Sequence, residues 1–142
     1  MNVDMGELED IYQQALRTHF EQPHNYGVLE SATSSGRATN PVCGDEVLVY
    51  LAMGPAGARA ASFDGHLCAI SKASASLMTD AVVGKTAMEI ATLRAAFARM
   101  MRGDDVSLGA LDALKGVRRY RVRVRCALLP WEALQLALQG QG

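Results

Sequence analysis

The sequence lacks any long hydrophobic run, and no apolar stretch approaches the roughly 18 residues that a membrane span requires. Residues 1–10 are acidic and do not show a basic segment followed by an apolar one, which argues against a secretory signal. Neither sign of charge is in excess, because 14 Lys and Arg stand against 15 Asp and Glu, a formal net charge of −1. We therefore expect a cytoplasmic protein, with neither nucleic acid nor an anionic membrane as its partner.

Cysteine is scarce, and its pattern excludes several kinds of site. The chain has three cysteines, Cys43, Cys68 and Cys126, and an odd number argues against a complete disulfide framework. No two of them are spaced as C-x-x-C, which excludes the zinc-ribbon and zinc-finger patterns. A metal site built from these residues has to be assembled by the fold from distant segments.

The composition is that of one ordinary domain. Of the 142 residues, 49% are apolar and 20% are charged, within the range of globular proteins. A chain of this length buries roughly two-thirds of its unfolded surface and folds without disulfides. We assign residues 1–142 to a single domain, without internal repeats or low-complexity tracts.

Periodicity predicts strands early in the chain and helices late, which favours an α+β fold over a parallel βαβ sheet. The predicted helices cover residues 7–20, residues 70–81, a segment from a capping box at Thr86 and Glu89 to a stop at Gly103, residues 107–114, and residues 131–138 with Pro130 in the first turn. The predicted strands cover residues 47–53 and 58–63, joined by a turn, and residues 120–125, while residues 30–40 form a loop or a weak edge strand.

Cys43 and Asp45 are the first candidate ligands. They stand two residues apart at the predicted start of a strand, so both side chains point to the same side. Gly44 between them permits close approach of the backbone to a metal. The alternative is a turn before the strand, with Cys43 as a small buried hydrophobic residue.

The other two cysteines have surroundings that favour the thiolate, the form that binds metal or attacks sulfur. Cys68 precedes a predicted helix, where free amides and the helix dipole favour negative charge. Cys126 follows Arg125, whose guanidinium has the same effect. For both, the alternative is a core cysteine. His66, two residues before Cys68, is a minor candidate ligand, and His19 is better explained as a cation at the end of the first helix.

Five arginines lie close together near the third cysteine: Arg118, Arg119, Arg121, Arg123 and Arg125. A nucleic-acid patch is one interpretation, but the net charge of −1 and the absence of interleaved aromatics beyond Tyr120 speak against it. A solvated face, or a docking surface for an acidic partner, fits better.

Taken together, these stretches resemble the U-type iron–sulfur scaffold superfamily, which includes IscU, the NifU N-terminal domain and SufU. The most specific matches are the cysteine-glycine-aspartate motif at 43–45 and the cysteine-x-isoleucine-serine motif at 68–71. Nearly the whole chain is covered, through residues 11–12, 19–27, 40–45, 68–76 and 125–129.

Within this superfamily the chain is similar to the SufU branch. Arg125 stands where the IscU branch has a histidine, and residues 120–124 replace its Leu-Pro-Pro-Val-Lys chaperone motif. Cys68 and Cys126 are 58 positions apart, more than in the IscU branch, with the extra length at about residues 103–120. Leu67 also departs from the glycine that usually precedes the second cysteine.

The resemblance implies an α+β fold of the SufE/NifU type, a small antiparallel sheet with helices packed on one face. In that fold residues 120–125 lead into a helix, in conflict with the strand that their period predicts. The resemblance also implies a metal site formed by Cys43, Asp45, Cys68 and Cys126. Three thiolates and a carboxylate suit tetrahedral zinc.

The implied function is iron–sulfur cluster assembly, as a zinc-bound sulfur acceptor that takes persulfide sulfur from a SufS-like cysteine desulfurase. Such a protein is at most a sulfurtransferase acting with that enzyme, with Cys43 as the first choice of acceptor and Cys126 as the second. The alternative is a scaffold that builds a [2Fe–2S] cluster on the three cysteines and passes it to downstream iron–sulfur assembly proteins. An alternative from another class is a non-catalytic domain with a structural zinc.

Overall fold

The chain folds into a three-stranded antiparallel sheet with helices packed against it. A computed structural model describes the backbone of residues 5–42 and 44–140, and within those ranges the side chains from residue 13 onward. The strands are β1 (Ser34–Asn40), β2 (Asp45–Gly54) and β3 (Gly57–His66). The helices are α1 (Met5–Glu21), α2 (Ala69–Val82), α3 (Ala87–Met101) and α4 (Arg121–Gln139), with a 3-10 helical segment (Gly109–Arg119) before α4.

The sheet is a meander in the order β1-β2-β3, so β2 is its central strand. Along β2, Val47, Val49 and Leu51 are fully buried, whereas Leu48 and Tyr50 between them are partly exposed. This is the alternation of a strand with one face in the core. The predicted hairpin and its buried face are confirmed, and residues 34–40 form an edge strand.

Helix α4 lies directly against β1, where a glycine permits the contact. A Cβ at Gly36 would be 2.1 Å from the carbonyl oxygen of Ala133 and 2.6 Å from the amide nitrogen of Ala137. Elsewhere on α4, Trp131 stacks on Phe97 of α3, with ring centroids 4.3 Å apart. The helix is thereby fixed between the sheet and α3, which determines where its N-terminal turns lie.

Residues 120–125 do not form the strand that their period predicts. Tyr120 has extended backbone angles (φ −120°, ψ 98°), and α4 begins at the next residue. Arg121, Val122 and Arg123 are all exposed in the first turn of the helix. The segment therefore has no buried face there, and its hydrophobic pattern could not distinguish the helical period of 3.6 from the strand period of 2. The helix implied by the family resemblance is confirmed.

Two other helix boundaries differ from prediction. Pro130 lies inside α4 and not in its first turn, because the helix already begins at Arg121. The predicted short helix at 107–114 is a longer 3-10 segment, Gly109–Arg119. Both differences arise because tertiary packing extends a segment beyond what its local sequence favours.

The start of α3 is confirmed in detail. The backbone N–H of Glu89 donates to Thr86 Oγ1 (3.2 Å), and the N–H of Thr86 donates to Glu89 Oε1 (3.0 Å). These bonds complete a capping box. They also hold the pKa of Glu89 below its ordinary value, since the Thr86 donors favour the carboxylate. Within residues 5–42 and 44–140, none of the helices has both the length and the hydropathy to cross a bilayer.

Candidate metal centre

Cys68 is the N-cap residue of α2, at the helix start where the sequence predicted it. Its backbone is extended (φ −68°, ψ 169°), and its Sγ accepts a hydrogen bond from the N–H of Ser71 at 3.5 Å. The hydroxyl oxygen of Ser71 lies 3.4 Å from the same sulfur. The sulfur of this partly exposed residue thereby lies at the positive end of the α2 helix dipole.

Asp45 is the first residue of β2, and it is buried with 7% of its surface exposed. A buried carboxylate requires hydrogen-bond donors. The N–H of Cys68 donates to Oδ1 (3.1 Å), and the hydroxyl of Ser71 donates to Oδ2 (2.7 Å). These two bonds join the start of the strand to the start of α2.

Cys126 comes from α4 and is buried, with 1% exposed. Its carbonyl oxygen lies 3.0 Å from Ser71 Oγ. The usual helical donor to that carbonyl would be the N–H of residue 130, but proline has none. Pro130 therefore leaves the Cys126 carbonyl accessible to α2, and the hydroxyl of Ser71 reaches it.

Asp45, Cys68 and Cys126 converge, with one ligand atom from each lying within 4.8 Å of the others. The residues come from β2, α2 and α4, so the fold brings together positions that are distant in the sequence. Two sulfurs and a carboxylate oxygen are three of the four donors of a tetrahedral zinc site. The donor set therefore fits zinc, and its sulfurs also fit an iron–sulfur cluster.

Cys43, the fourth predicted ligand, lies outside the described residues. On either side of it, the N–H of Val42 donates to Asn40 Oδ1 (3.1 Å) and the N–H of Gly44 donates to the Asn40 carbonyl (2.8 Å). Gly44 has φ 76°, a left-handed conformation that glycine adopts at little cost. The assignment of Cys43 as a ligand stays a prediction.

The remaining sequence candidates have other surroundings. His66 is exposed at the end of β3 and is not part of the cluster found among the described residues. His19 lies in the last turn of α1, where its Nδ1 is 2.7 Å from Ser76 Oγ. Burial lowers the pKa of His19, so the ring favours its neutral form over the cationic cap that the sequence suggested. Arg125 is exposed immediately before Cys126.

Sequence reasoning missed Ser71 as a component of the site. This residue is fully buried, and its hydroxyl is within hydrogen-bond distance of Asp45, Cys68 and the Cys126 carbonyl. It therefore positions ligands from three elements. Two signals could have identified it: Ser71 is the last residue of the motif at 68–71, and it stands three residues after the N-cap, a spacing at which residues commonly pair across the first turn.

A groove of about 850 Å³ opens beside the cluster. Its walls include Ile70, two residues after Cys68, and Val122, one helical turn before Cys126. Tyr120, Arg121 and Arg123 also line it. The site is thus bordered by an apolar surface with a basic rim.

Comparison with known proteins identifies similar chains over nearly the full length. The model of the NifU-like N terminal domain family matches residues 11–139. The chain is 36% identical over 132 residues to the zinc-dependent sulfurtransferase SufU of Bacillus subtilis (strain 168), covering 90% of this chain and 89% of that protein. It is 32% identical over 139 residues to the iron–sulfur cluster assembly scaffold protein IscU of Streptococcus pyogenes serotype M1, covering 95% and 87%.

A solved structure shows the same fold. The nitrogen-fixing NifU-like protein (N-terminal) from Brucella abortus superposes with a TM-score of 0.82 at 26% identity, covering 94% of this chain and 96% of that one. The expected α+β architecture, a small antiparallel sheet with packed helices, is therefore confirmed, and the sheet has three strands.

Proposed function

The chain belongs to the NifU-like N terminal domain family, and we propose that it is a zinc-bound sulfur acceptor in iron–sulfur cluster assembly. The observation that carries the proposal is the convergence of Asp45 at the start of β2, Cys68 at the start of α2 and Cys126 in the second turn of α4. The similarity to a zinc-dependent sulfurtransferase agrees with that donor set. Cys43, two residues before Asp45, completes the four ligands.

Zinc bound there would keep the cysteines as thiolates and protect them from oxidation. The chain's own residues then determine how sulfur is received. Asp45, the first residue of β2, and Cys68, the N-cap of α2, are both oriented by Ser71, whereas Cys43 follows an exposed turn, Pro41 and Val42, that is open to a partner. Cys43 is therefore our first choice as the acceptor, and Cys126, with 1% exposed, is the second.

The transfer is a thiol exchange with a cysteine desulfurase that carries a persulfide. The Cys43 thiolate attacks the terminal sulfur, a new sulfur–sulfur bond forms at Cys43, and the bond to the desulfurase cysteine breaks. The desulfurase cysteine leaves as a thiolate, so no external oxidant or reductant is required. The expected product is a persulfide on this protein and a desulfurase ready for another turnover.

The groove with the basic rim is the surface we assign to the desulfurase. Ile70 and Tyr120 supply apolar area, and the exposed Arg121 and Arg123 favour an acidic segment of the partner. We expect Arg121→Glu to reduce the stimulation of the desulfurase and to make that stimulation less sensitive to salt concentration. Arg59→Glu, which changes an exposed arginine on β3 outside the groove, should leave both unchanged.

The decisive experiment combines zinc-loaded protein, a cysteine desulfurase and cysteine. We expect desulfurase turnover to rise and one sulfur atom to be added to the peptide that contains Cys43. Cys43→Ala should abolish both effects, whereas Val42→Ala in the same exposed turn should retain them. Sulfur found on Cys126 and stimulation retained in Cys43→Ala would assign the acceptor role to the second choice.

A cluster scaffold is the competing function, and similarity to the Streptococcus scaffold protein favours it. Thiolates at Cys43, Cys68 and Cys126 would suit a [2Fe–2S] cluster equally well. The same preparation separates the two functions. If anaerobic iron and sulfide generate a [2Fe–2S] absorption spectrum while desulfurase turnover is unaffected, the scaffold function is correct. If turnover is unaffected and no cluster forms on a protein that still holds zinc, the metal is structural.

A further inference from the structure

A second group of metal-type donors lies at the opposite end of α2 from the thiol cluster. It consists of His19 in the last turn of α1, His24 in the loop that follows, and Asp80 in the last turn of α2. One ligand atom from each lies within 4.8 Å of the others. Asp80 comes 12 residues after Cys68, which corresponds to about 18 Å along a helix, so the two groups are separate.

Hydrogen bonds from outside the group already orient two of the side chains, His19 and Asp80, and the third, His24, is paired with Asp80 itself. His24 Nδ1 is 2.6 Å from Asp80 Oδ2, and the other oxygen of that carboxylate accepts from Asn25 Nδ2 at 2.9 Å. His19 Nδ1 is 2.7 Å from Ser76 Oγ, and the backbone N–H of His24 donates to the same oxygen at 2.8 Å. Imidazoles and carboxylates held by such outer partners are typical of metal ligands.

The state of the groups also suits a cation. His19 is half-buried, whereas His24 and Asp80 are exposed, so the group is open to solvent on one side. The two imidazole rings lie with centroids 4.6 Å apart. The side chains of His24 and Asp80 are 51% and 46% exposed, which leaves room for water to complete the coordination shell.

We propose that His19, His24 and Asp80 bind a first-row divalent transition metal ion, independently of the cysteine site. Two imidazoles and one carboxylate, with coordination positions left for water, are a donor set used for zinc and for non-haem iron. On binding, the ion takes the place of the proton between His24 and Asp80. With three protein ligands and an exposed position, this site exchanges its metal more readily than one with three thiolates.

Nickel binding to the protein saturated with one equivalent of zinc tests the proposal. We expect one equivalent of Ni²⁺ to bind in isothermal titration calorimetry. Asp80→Asn removes the charge but keeps an oxygen that can accept from His24, and it should weaken binding by about tenfold or more. Asp104→Asn, an exposed carboxylate outside the group, should bind nickel as the unchanged protein does. Equal binding by both variants, or no bound nickel in the unchanged protein, would overturn the proposal.

A measurement on the unchanged chain keeps the test independent of any effect of substitution on folding. The chain has three histidines, and the third, His66, lies next to the thiol end of α2. Paramagnetic Ni²⁺ should broaden the imidazole NMR signals of His19 and His24 first and leave those of His66 sharp. Broadening of His66 first, or of all three together, would contradict the assignment. The thiol chemistry proposed above is not required for either result.

Discussion

Removal of the Ser71 hydroxyl should weaken zinc binding more than any loss of stability can explain. The hydroxyl has one hydrogen, and its shortest contact is with Asp45 Oδ2 at 2.7 Å. Ser71→Ala leaves that carboxylate, itself 7% exposed, with the Cys68 N–H as a donor. A hydrogen bond to a charged group contributes about 1.5–3 kcal/mol.

That range corresponds to roughly 10- to 100-fold in affinity, and loss of an outer partner of a metal ligand typically costs the same amount. We therefore expect Ser71→Ala to raise the Kd for zinc by this factor, measured by competition with a chromophoric chelator. The orientation of Cys68 should be disturbed as well, since its sulfur loses a contact at 3.4 Å.

Ser74→Ala is the matched control. Ser74 is also fully buried on α2, where its hydroxyl donates to the Ala127 carbonyl at 2.6 Å and accepts from Trp131 Nε1 at 3.1 Å. Both substitutions should lower the free energy of unfolding by about 1–3 kcal/mol in urea titrations. Only the change at Ser71 should alter zinc affinity, and equal Kd values for the two variants would refute this account of the site.

Three further predictions concern the rest of the fold. Burial lowers the pKa of His19 below 6.5, so the unfolded chain binds a proton at this residue more readily than the folded chain does. The free energy of unfolding should therefore decrease as pH falls from about 6.5 towards the lowered pKa. His19→Asn should flatten this pH dependence, measured by urea titrations at several pH values. Thr86→Ala should lower the free energy of unfolding by about 1 kcal/mol through loss of the helix cap, measured by urea titration. Gly36→Ala should lower the free energy of unfolding by about 1–3 kcal/mol or prevent folding, because the added Cβ would clash with α4. Gly116→Ala is the control, since a Cβ there meets nothing within 4 Å, and it should leave the thermal unfolding temperature nearly unchanged.

Local patterns predicted the elements that carry their own signal. The alternation along β2 and the capping box at Thr86 both follow from near neighbours in the sequence, and both are confirmed. The start of the helix at residues 121–139 was not predictable in this way, because its exposed first turn alternates arginine with valine, as a strand would, and Pro130 resembles a helix start. Its path depends on packing against Gly36 and Phe97, which lie far away in the sequence.

The candidate site shows the same division. Cys68 could be placed from sequence because a helix start has local markers, and its N-cap position is confirmed. Its proximity to Asp45 and Cys126 requires three elements to meet, and spacing alone identifies each residue only as a separate candidate ligand. The spacing of Ser71 from Cys68 could indicate a pair across the first turn, but its contacts with the Asp45 carboxylate and the Cys126 carbonyl depend on how three elements pack.

Helix α2 connects both groups of metal-type donors through buried hydroxyls. Ser71, Ser74, Ser76 and Thr79 are all fully buried, although serine and threonine are usually exposed. Each hydroxyl has a partner: Ser71 and Ser74 reach the α4 carbonyls of residues 126 and 127, Ser76 contacts His19, and Thr79 donates to the Ser76 carbonyl. A buried hydroxyl is costly unless it is bonded, so these contacts specify one arrangement of α2 among its neighbours.

The small size of these residues has a second consequence. With alanines and serines on its buried face, α2 can approach α1 and α4 closely enough for Ser76 to reach the His19 side chain of α1 and for Ser74 to reach the Ala127 carbonyl of α4. Larger apolar residues would bury more area but would hold the helices apart. If this is correct, Ser74→Val should lower zinc affinity where Ser74→Ala does not, because the added volume would displace the first turns of α4 and move Cys126 away from Asp45 and Cys68. Unchanged zinc affinity in a folded Ser74→Val variant would show that the position of Cys126 does not depend on this close packing.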